Sequence, residues 1–423
     1  MNYKAIDALL HKEVIPAIGC TEPVAVSLCV AKACETLGRL PKKLIVRLSP
    51  NIYKNAMGVG IPNTGMTGLP IAVALGAIAG KSEYELEVLK EADEQAVERA
   101  KQYLSHATID IDIDRQTNQM LYIRIEAFEG EDKAVAIIEG AHTNFTLVSL
   151  NDQILFSVEN TESNVEQDTT LSLTLKEVYQ YATTVPLEQI EWLKEAEKLN
   201  IAAAEVSFEG RYGHGLGRLM RHNAERSIFG DTLFTKILSY TSGACDARMG
   251  GAMVPVMSNS GSGNQGISAT IPVVIFGREK GVSEEKLLRA LALSHLTVIY
   301  IKNSLGRLSA LCGCVVAATG SSCGITYLMG GEFEQVSYAV KNMVANLTGM
   351  ICDGAKPSCS LKVTSGVSTA VLSAVLAIEQ RYTTSLEGII DEDVDKCITN
   401  LTNIGRNGMR ETDKLILDIM TTK

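Results

Sequence analysis

Hydrophobic residues at helical spacing predict two helices at the start of the chain, within residues 1–38. In the second helix, apolar residues from Val26 to Leu37 recur on one face, as expected of a helix that packs on a core. Thr21 is suited to cap this helix, and Pro23 falls in its first turn.

Short β-rich runs replace the helical spacing between about residues 41 and 160. Four of these runs are predicted strands, at residues 44–48, 109–113, 121–125 and 134–138. The segments 66–79 and 85–104 have helical patterns, so this part of the chain is predicted to be an α/β unit. The polar stretch 159–170 then predicts a linker and a domain boundary.

The remaining chain predicts a mostly helical region with Gly-rich turns. Several helices are apolar on most sides, which is typical of the centre of a bundle, and residues 216–240 are predicted as one helix. The expected fold class is α+β. Three domains are predicted: N-terminal helices that include Cys20 (1–40), an α/β domain (41–165) and a mostly helical domain (171–423).

Composition and charge limit the classes of partner that the protein is expected to bind. The 423 residues are 46% hydrophobic and 21% charged, which is typical of a globular protein. The net charge of −10, with no basic cluster, argues against nucleic acid or an anionic membrane and favours a small molecule. No secretory signal is evident, the apolar runs fall short of the roughly 20 residues that span a bilayer, and ten irregularly spaced cysteines indicate a reducing compartment. A cytoplasmic location is therefore expected.

The C-terminal cysteines are the strongest candidates for chemistry. Cys312 and Cys314 are separated by one glycine, and Cys352 and Cys359 follow about forty residues later. Three converging thiolates would suit an iron–sulfur cluster, and the six-residue gap between the last two makes zinc less favoured. Packing in the core is an equally weighted alternative, because free cysteines are among the most buried residues.

Cys20 stands immediately before a predicted helix start. The partial positive charge of a helix N-terminus stabilises a thiolate, which predicts a lowered pKa for Cys20. Cys20 is therefore a candidate base, nucleophile or metal ligand, with a buried turn cysteine as the alternative.

Residues 261–266 fit the Gly-x-Gly-x-x-Gly pattern of dinucleotide-binding proteins, but without the βαβ context that this reading needs. Pro272 is expected to disturb the helix that should follow. Backbone amides in such a turn can instead hold a small carboxylate, and a purely structural turn competes with both readings. The candidate substrate-binding residues in this loop are Ser260, Gly261, Ser262 and Asn264.

Two further turns offer polar groups. Lys54 and Asn55 lie in a predicted Gly/Pro-rich loop at residues 51–62, and Arg307 ends a Ser-Leu-Gly-Arg turn. Each is a candidate substrate-binding residue, and each is also explained as a solvated surface group or an ordinary turn.

Taken together and in order, four motifs resemble the L-cysteine desulfidase family. They are Ile-Gly-Cys-Thr-Glu-Pro at 18–23, Lys-Asn-Ala-Met-Gly-Val-Gly-Ile-Pro at 54–62, Cys-Gly-Cys at 312–314 and Gly-Met-Ile-Cys-Asp-Gly-Ala-Lys at 349–356. The resemblance extends over essentially the whole chain. The C-terminal half is also similar, more distantly, to the α-subunit domain of bacterial iron–sulfur L-serine dehydratases.

The resemblance implies an oxygen-sensitive [4Fe–4S] cluster held by Cys312, Cys352 and Cys359, with Cys314 as the alternative to Cys312. It also implies that Cys20 is the catalytic base. Alternatively, Cys20 is a fourth cluster ligand that the substrate displaces. The helical domain would then be the cluster-binding catalytic domain.

The implied reaction is β-elimination of L-cysteine to pyruvate, ammonia and hydrogen sulfide without pyridoxal phosphate. L-serine deamination on the same cluster is the nearest alternative. Two further alternatives are a non-catalytic metal-binding or redox-sensing protein and a family member that has lost both the cluster and the activity. An amino-acid substrate and homo-oligomerisation are expected.

Overall fold

The computed structural model describes residues 2–61, 64–117, 119–158, 171–221, 226–306 and 309–422. The predicted linker 159–170 and Arg307 lie outside these ranges. The α-helices are α1 (Tyr3–Glu13), α2 (Thr21–Leu37), α3 (Pro50–Ala56), α4 (Leu69–Ala79), α5 (Glu94–His106), α6 (Leu175–Thr184), α7 (Lys194–Glu209), α8 (Leu216–Leu219), α9 (Arg226–Phe229), α10 (Leu233–Met249), α11 (Gly263–Lys280), α12 (Glu284–Leu305), α13 (Gly313–Leu328), α14 (Phe333–Leu347), α15 (Cys359–Ile378), α16 (Val394–Asn403) and α17 (Arg410–Thr421). Short 3-10 helices cover Ser82–Glu87, Leu187–Gln189 and Glu191–Leu193, and a π-helix covers Ile404–Gly408.

The strands form one six-stranded sheet and one two-stranded sheet. They are β1 (Pro16–Ile18), β2 (Lys43–Leu48), β3 (Thr108–Ile113), β4 (Tyr122–Glu129), β5 (Asp132–Glu139), β6 (Phe145–Leu150), β7 (Gln153–Ser157) and β8 (Pro255–Met257). The large sheet has the order β3-β2-β4-β5-β6-β7, with β2 and β3 parallel and the other neighbours antiparallel. The mixture of this sheet with a helical bundle confirms the α+β fold class.

One face of the sheet is covered by α2. In β4, Ile123, Ile125 and Ala127 alternate with less buried residues, so a single face enters the core. The buried side of α2 packs on that face and α4 packs beside it. In contrast, α1 packs on the helical core through Ile6 and Leu10. The predicted three-domain division remains a prediction.

The helical core is built on buried helices. Helix α11 contacts α10, α12 and α13, α12 also contacts α13, and α15 packs on α10 and α13. The prediction of one helix over 216–240 is wrong, because Gly230 has a φ of 71° and a new helix, α10, starts after Thr232, whose hydroxyl accepts from the Thr235 amide. The prediction that Pro272 disturbs its helix is also wrong, since α11 continues through it to Lys280.

Among the described residues, α15 is one helix that is long and apolar enough, by length and composition, to cross a membrane. Half of its most apolar window is buried inside the protein. A core helix passes the same test, and α15 packs on α10, α13 and α14 as a core helix does.

Gly266 allows α11 to lie close to β8. A Cβ atom at this position would stand 1.9 Å from the carbonyl oxygen of Met257, which is backbone and cannot rotate away. We expect Gly266→Ala to lower the free energy of unfolding by about 3 kcal/mol, measured by urea denaturation. Gly349→Ala is the matched control: no atom lies within 4 Å of its added Cβ, so a change within about 0.5 kcal/mol is expected. Equal stabilities of the two variants would contradict this account of the α11–β8 contact.

Candidate functional site

A short strand pair joins the N-terminal segment to the Gly-rich loop. β1 pairs with β8 in antiparallel register, with Ala17 opposite Val256. The Ser258 amide and hydroxyl both donate to the Ile15 carbonyl, at 2.8 and 2.6 Å, and the Ser260 amide donates to the Glu13 carbonyl at 2.9 Å. These bonds hold the approach to α2 against the loop.

Cys20, and not Thr21 as predicted, is the N-cap residue of α2. Its side chain is buried at 4% exposure, and its thiol donates to Glu22 Oε2 at 2.9 Å. The Thr21 hydroxyl donates to the same oxygen at 3.3 Å. The start of α2 therefore presents a thiol paired with a carboxylate.

The expected lowering of the Cys20 pKa is wrong. Burial raises the pKa well above its usual value, and the Glu22 carboxylate adds to the rise. The positive charge of Arg248 acts in the opposite direction. Loss of solvation outweighs the helix end, so the resting side chain is a neutral thiol.

The Gly-rich loop ends at the N-terminus of α11. Ser260 and Gly261 have φ of 48° and 76°, which turns the backbone sharply before the helix. The Ser262 hydroxyl accepts from the Gln265 amide at 3.5 Å as the cap, and Asn264 Oδ1 accepts from Arg248 Nη1 at 3.2 Å. The structure thus brings the predicted loop residues to one helix start and adds Arg248 to them.

A buried histidine in α12 is hydrogen-bonded to this loop. Asn259 Nδ2 donates to His295 Nδ1 at 3.0 Å, which leaves the proton on Nε2, beside the Thr270 hydroxyl at 3.0 Å. Burial lowers the pKa of His295 to about 3. His295 is therefore a neutral, hydrogen-bonded core residue.

His295 predicts a loss of stability in acid. The unfolded chain takes up a proton on this histidine near its ordinary pKa of 6.5, whereas the folded chain does so only near 3. The free energy of unfolding therefore falls as pH decreases between these values, with about 1.4 kcal/mol per pH unit coming from His295. In urea titrations from pH 6 to 4, His295→Gln should reduce the slope by that amount, and the exposed His106→Gln should not. Parallel slopes for wild type and His295→Gln would contradict the buried neutral state.

Two of the predicted ligand cysteines are neighbours. The Cys312 amide donates to the Met350 carbonyl at 2.9 Å and the Cys352 amide donates to the Ala310 carbonyl at 2.6 Å, so the two segments run side by side. The hydrogen bond between the two thiols is the main cause of the raised pKa of Cys352, ahead of burial. These contacts bring together thiols forty residues apart.

Cys359 begins α15 close by. Its sulfur accepts from the Lys356 amide at 3.4 Å and donates to the Gly354 carbonyl at 3.6 Å. Burial is the main cause of its raised pKa, and the charge of Cys352 contributes. Cys245 in α10, which sequence reasoning treated as a packing residue, is near enough for the charges of Cys359 and Cys312 to raise its pKa after burial does.

Cys314 has partners beyond its neighbour Cys312. Its thiol contacts Met350 Sδ at 3.2 Å and donates to the Lys362 carbonyl at 3.4 Å. It also contributes the largest rise to the pKa of Cys312. The two cysteines of the Cys-Gly-Cys motif therefore have different surroundings.

The donor set of Cys312, Cys352 and Cys359 fits an iron–sulfur cluster in kind. The Cys312 and Cys352 thiols are hydrogen-bonded, and Cys359 lies seven residues beyond Cys352, close enough for the charge of Cys352 to act on it; thiolates are the ligands that such clusters take. Across the described ranges, no group of three or more His, Cys, Asp or Glu side chains could hold a metal ion. A cluster takes its cysteines on separate iron atoms, so it does not require a cage around one ion.

Lys54 and Asn55 lie in helix α3, and the prediction of a loop there is wrong for them. Lys54 is 6% exposed, and its ammonium is paired with Asp413 at 2.6 Å. The Lys54 carbonyl accepts from Lys356 Nζ at 3.1 Å, and a Cβ at Gly354 would lie 2.1 Å from that carbonyl oxygen. Lys54 thus lies against the loop of Cys352 and Cys359, while Asn55 bonds to Asn51 within the helix.

Sequence reasoning missed several buried polar groups. Five buried side-chain atoms among the described residues lack a hydrogen-bond partner: Asp246 Oδ1, Arg248 Nε, Gln265 Oε1, Ser268 Oγ and Ser322 Oγ. Arg248 and Gln265 adjoin the Gly-rich loop. An arginine at the end of the small-residue helix α10 was a signal that could have indicated Arg248.

The comparisons with known proteins agree with this architecture. The family model of the serine dehydratase alpha chain matches residues 83–418, and the chain belongs to that family. Its relatives are UPF0597 proteins. One from Bacteroides fragilis is 63% identical, and the match covers 99% of this chain and 98% of the relative. One from Porphyromonas gingivalis is 52% identical, with 99% of this chain and 98% of the relative covered. One from Photobacterium profundum is 41% identical, with 98% of this chain and 97% of the relative covered. The matched family region indicates a dehydratase-like lyase, and Cys20 precedes it.

Proposed function

We propose that this chain is an iron–sulfur-dependent L-cysteine desulfidase. The observation that supports the proposal most is the position of Lys356. Burial lowers the pKa of Lys356, and the charges of Asp353, Cys359, Cys352 and Cys20 act in the opposite direction. The N-terminal thiol and two of the proposed cluster cysteines thus lie within electrostatic reach of one half-buried ammonium, although they come from distant parts of the chain.

Cys312, Cys352 and Cys359 would hold the cluster. When bound, it supplies a Lewis acid, because three protein ligands leave one iron open to substrate. The half-buried Lys356 provides a positive charge beside the thiolates. The contact of its ammonium with the Lys54 carbonyl fixes that charge relative to α3.

Cys20 would remove the α-proton of the substrate. Its resting proton first passes to Glu22, which already accepts the thiol hydrogen bond, and the positive charge of Arg248 favours the resulting thiolate. The thiolate then takes the α-proton, the electron pair of the Cα–H bond forms the Cα–Cβ double bond, and hydrosulfide leaves from Cβ. The aminoacrylate tautomerises and hydrolyses to pyruvate and ammonia.

L-serine deamination is the second candidate, and the match to the serine dehydratase alpha chain favours it. The same steps apply, with the hydroxyl of serine as the leaving group in place of the thiol. The arrangement of Cys20 and the loop serves either reaction.

The test is product release by anaerobically purified protein after reconstitution with iron and sulfide. Sulfide together with pyruvate from L-cysteine, lost on exposure to air, is the expected result. Pyruvate from L-serine alone would assign the chain as a dehydratase. Protein that binds iron but acts on neither amino acid would overturn both enzymatic proposals and favour a structural metal site or redox sensor.

A further inference from the structure

Arg248 is a buried cation that no step above uses directly on the substrate. It lies in the last turn of α10 and is 6% exposed. Its Nη1 donates to Asn264 Oδ1 at 3.2 Å, and its buried Nε has no hydrogen-bond partner among the described residues. The guanidinium therefore has a donor to spare.

Among the described residues, the guanidinium of Arg248 also forms no salt bridge. In the part of the chain that the structure describes, no carboxylate lies within ion-pair distance of it, and its bonding partner Asn264 is a neutral amide. By contrast, the more exposed Arg278 pairs with both Glu197 and Glu284. Burying an unpaired charge is costly, so a folded protein that keeps one has a place for an anion beside it.

The free donor faces the start of α11. A Cβ built on Gly263 would lie 2.3 Å from Arg248 Nε, so glycine is what lets the guanidinium approach this helix end. Backbone amides at the N-terminus of a long helix attract anions, and α11 has 18 residues. The helix end and the guanidinium thus favour a negative group at the same place.

That place is next to the proposed base. Burial raises the pKa of Cys20 and the charge of Arg248 lowers it, so the guanidinium lies within electrostatic reach of the thiol. An anion bound to Arg248 would hold the rest of its molecule beside the Cys20 sulfur.

We propose that Arg248 binds the α-carboxylate of the amino-acid substrate, with Asn264 fixing the orientation of the guanidinium. This inference rests on the proposed function, because it assigns the substrate end that Cys20 attacks. A carboxylate is the anion that every α-amino acid offers, and on Arg248 it places the adjacent α-carbon toward Cys20. Selection between cysteine and serine then depends on other residues, since both substrates share this group.

The contribution of the carboxylate to binding is measured by calorimetry with two thiols that are not α-amino acids. 3-Mercaptopropionate has the carboxylate without the ammonium, and cysteamine has the ammonium without the carboxylate. In reconstituted wild-type protein we expect tighter binding of 3-mercaptopropionate. Arg248→Gln should weaken it about 30-fold or more and change cysteamine binding less than about twofold. Arg248→Lys should lie between them, and Arg47→Gln, on a sheet arginine paired with Asp110, should match wild type.

The unfolding midpoint without ligand supplies a second readout. A purely structural arginine would leave Arg248→Gln less stable, whereas removal of an unpaired buried charge leaves the midpoint equal or higher. Unchanged 3-mercaptopropionate affinity in Arg248→Gln, or in Arg248→Lys if the first variant does not fold, would overturn the inference. Arg248-dependent binding without sulfide or pyruvate release would refute the proposed function and leave this assignment in place.

Discussion

Cys20→Ser is expected to reduce the turnover of L-cysteine by about 10²- to 10⁴-fold, the usual contribution of a positioned general base. Serine keeps the size and the hydrogen bond to Glu22, but its hydroxyl is a far weaker acid than a thiol and does not give up its proton to a carboxylate. The measurement is kcat from sulfide release under anaerobic conditions.

Iron content separates the two roles of Cys20. A base can be replaced without loss of the cluster, so Cys20→Ser should retain the iron and acid-labile sulfide of wild type. Cys34→Ala, on the same helix, is the matched control and should keep turnover within about twofold. Retained activity in Cys20→Ser would refute the base, and loss of iron together with activity would indicate a fourth ligand.

Cys312→Ala is expected to lose most of the cluster, and Cys314→Ala is expected to keep it. The Cys312 thiol is hydrogen-bonded to that of Cys352, whereas the Cys314 thiol, besides its hydrogen bond with Cys312, contacts Met350 and donates to the Lys362 carbonyl. A cluster with two cysteine ligands in place of three is held by too few bonds to survive purification. The measurements are iron, acid-labile sulfide and visible absorbance per chain after anaerobic reconstitution.

Cys352→Ala and Cys359→Ala should resemble Cys312→Ala in these measurements. Thermal unfolding in the absence of iron is the control, because all four variants replace one small side chain by another and should differ little there. The reverse pattern, with iron lost only in Cys314→Ala, would transfer the ligand role to Cys314.

Much of the fold follows from periodicity, and the exceptions have physical reasons. The predicted strands correspond to β2, β3, β4 and β5. Buried residues alternate along β2 and β4, the apolar residues of β3 alternate with polar ones in the sequence, and β5 is a continuous buried run. β7 was missed because its apolar residues, Ile154 to Phe156, are consecutive and do not alternate with polar ones, and in the structure all five strand residues are exposed. β1 and β8 have three residues each, too few to show a period.

The candidate site was predictable by residue type and less so by environment. The cysteines and the Gly-rich loop were identified from spacing. The direction of the Cys20 pKa shift was not predicted correctly. It is set by burial, which depends on segments distant in sequence, and not by the local helix end. Glu22 and Arg248 were missed as partners for the same reason: their importance comes from what folds around them.

The pairing of β1 with β8 has a consequence for how the protein is made. The bond from Ser258 to Ile15 joins residues 243 positions apart, and the cysteines lie further along still. During synthesis the N-terminal strand leaves the ribosome long before its partner exists, and such long-range contacts form late in folding. Cys20 therefore has none of its partners from the helical half until that half has been translated. A prematurely terminated chain consequently lacks a complete candidate site.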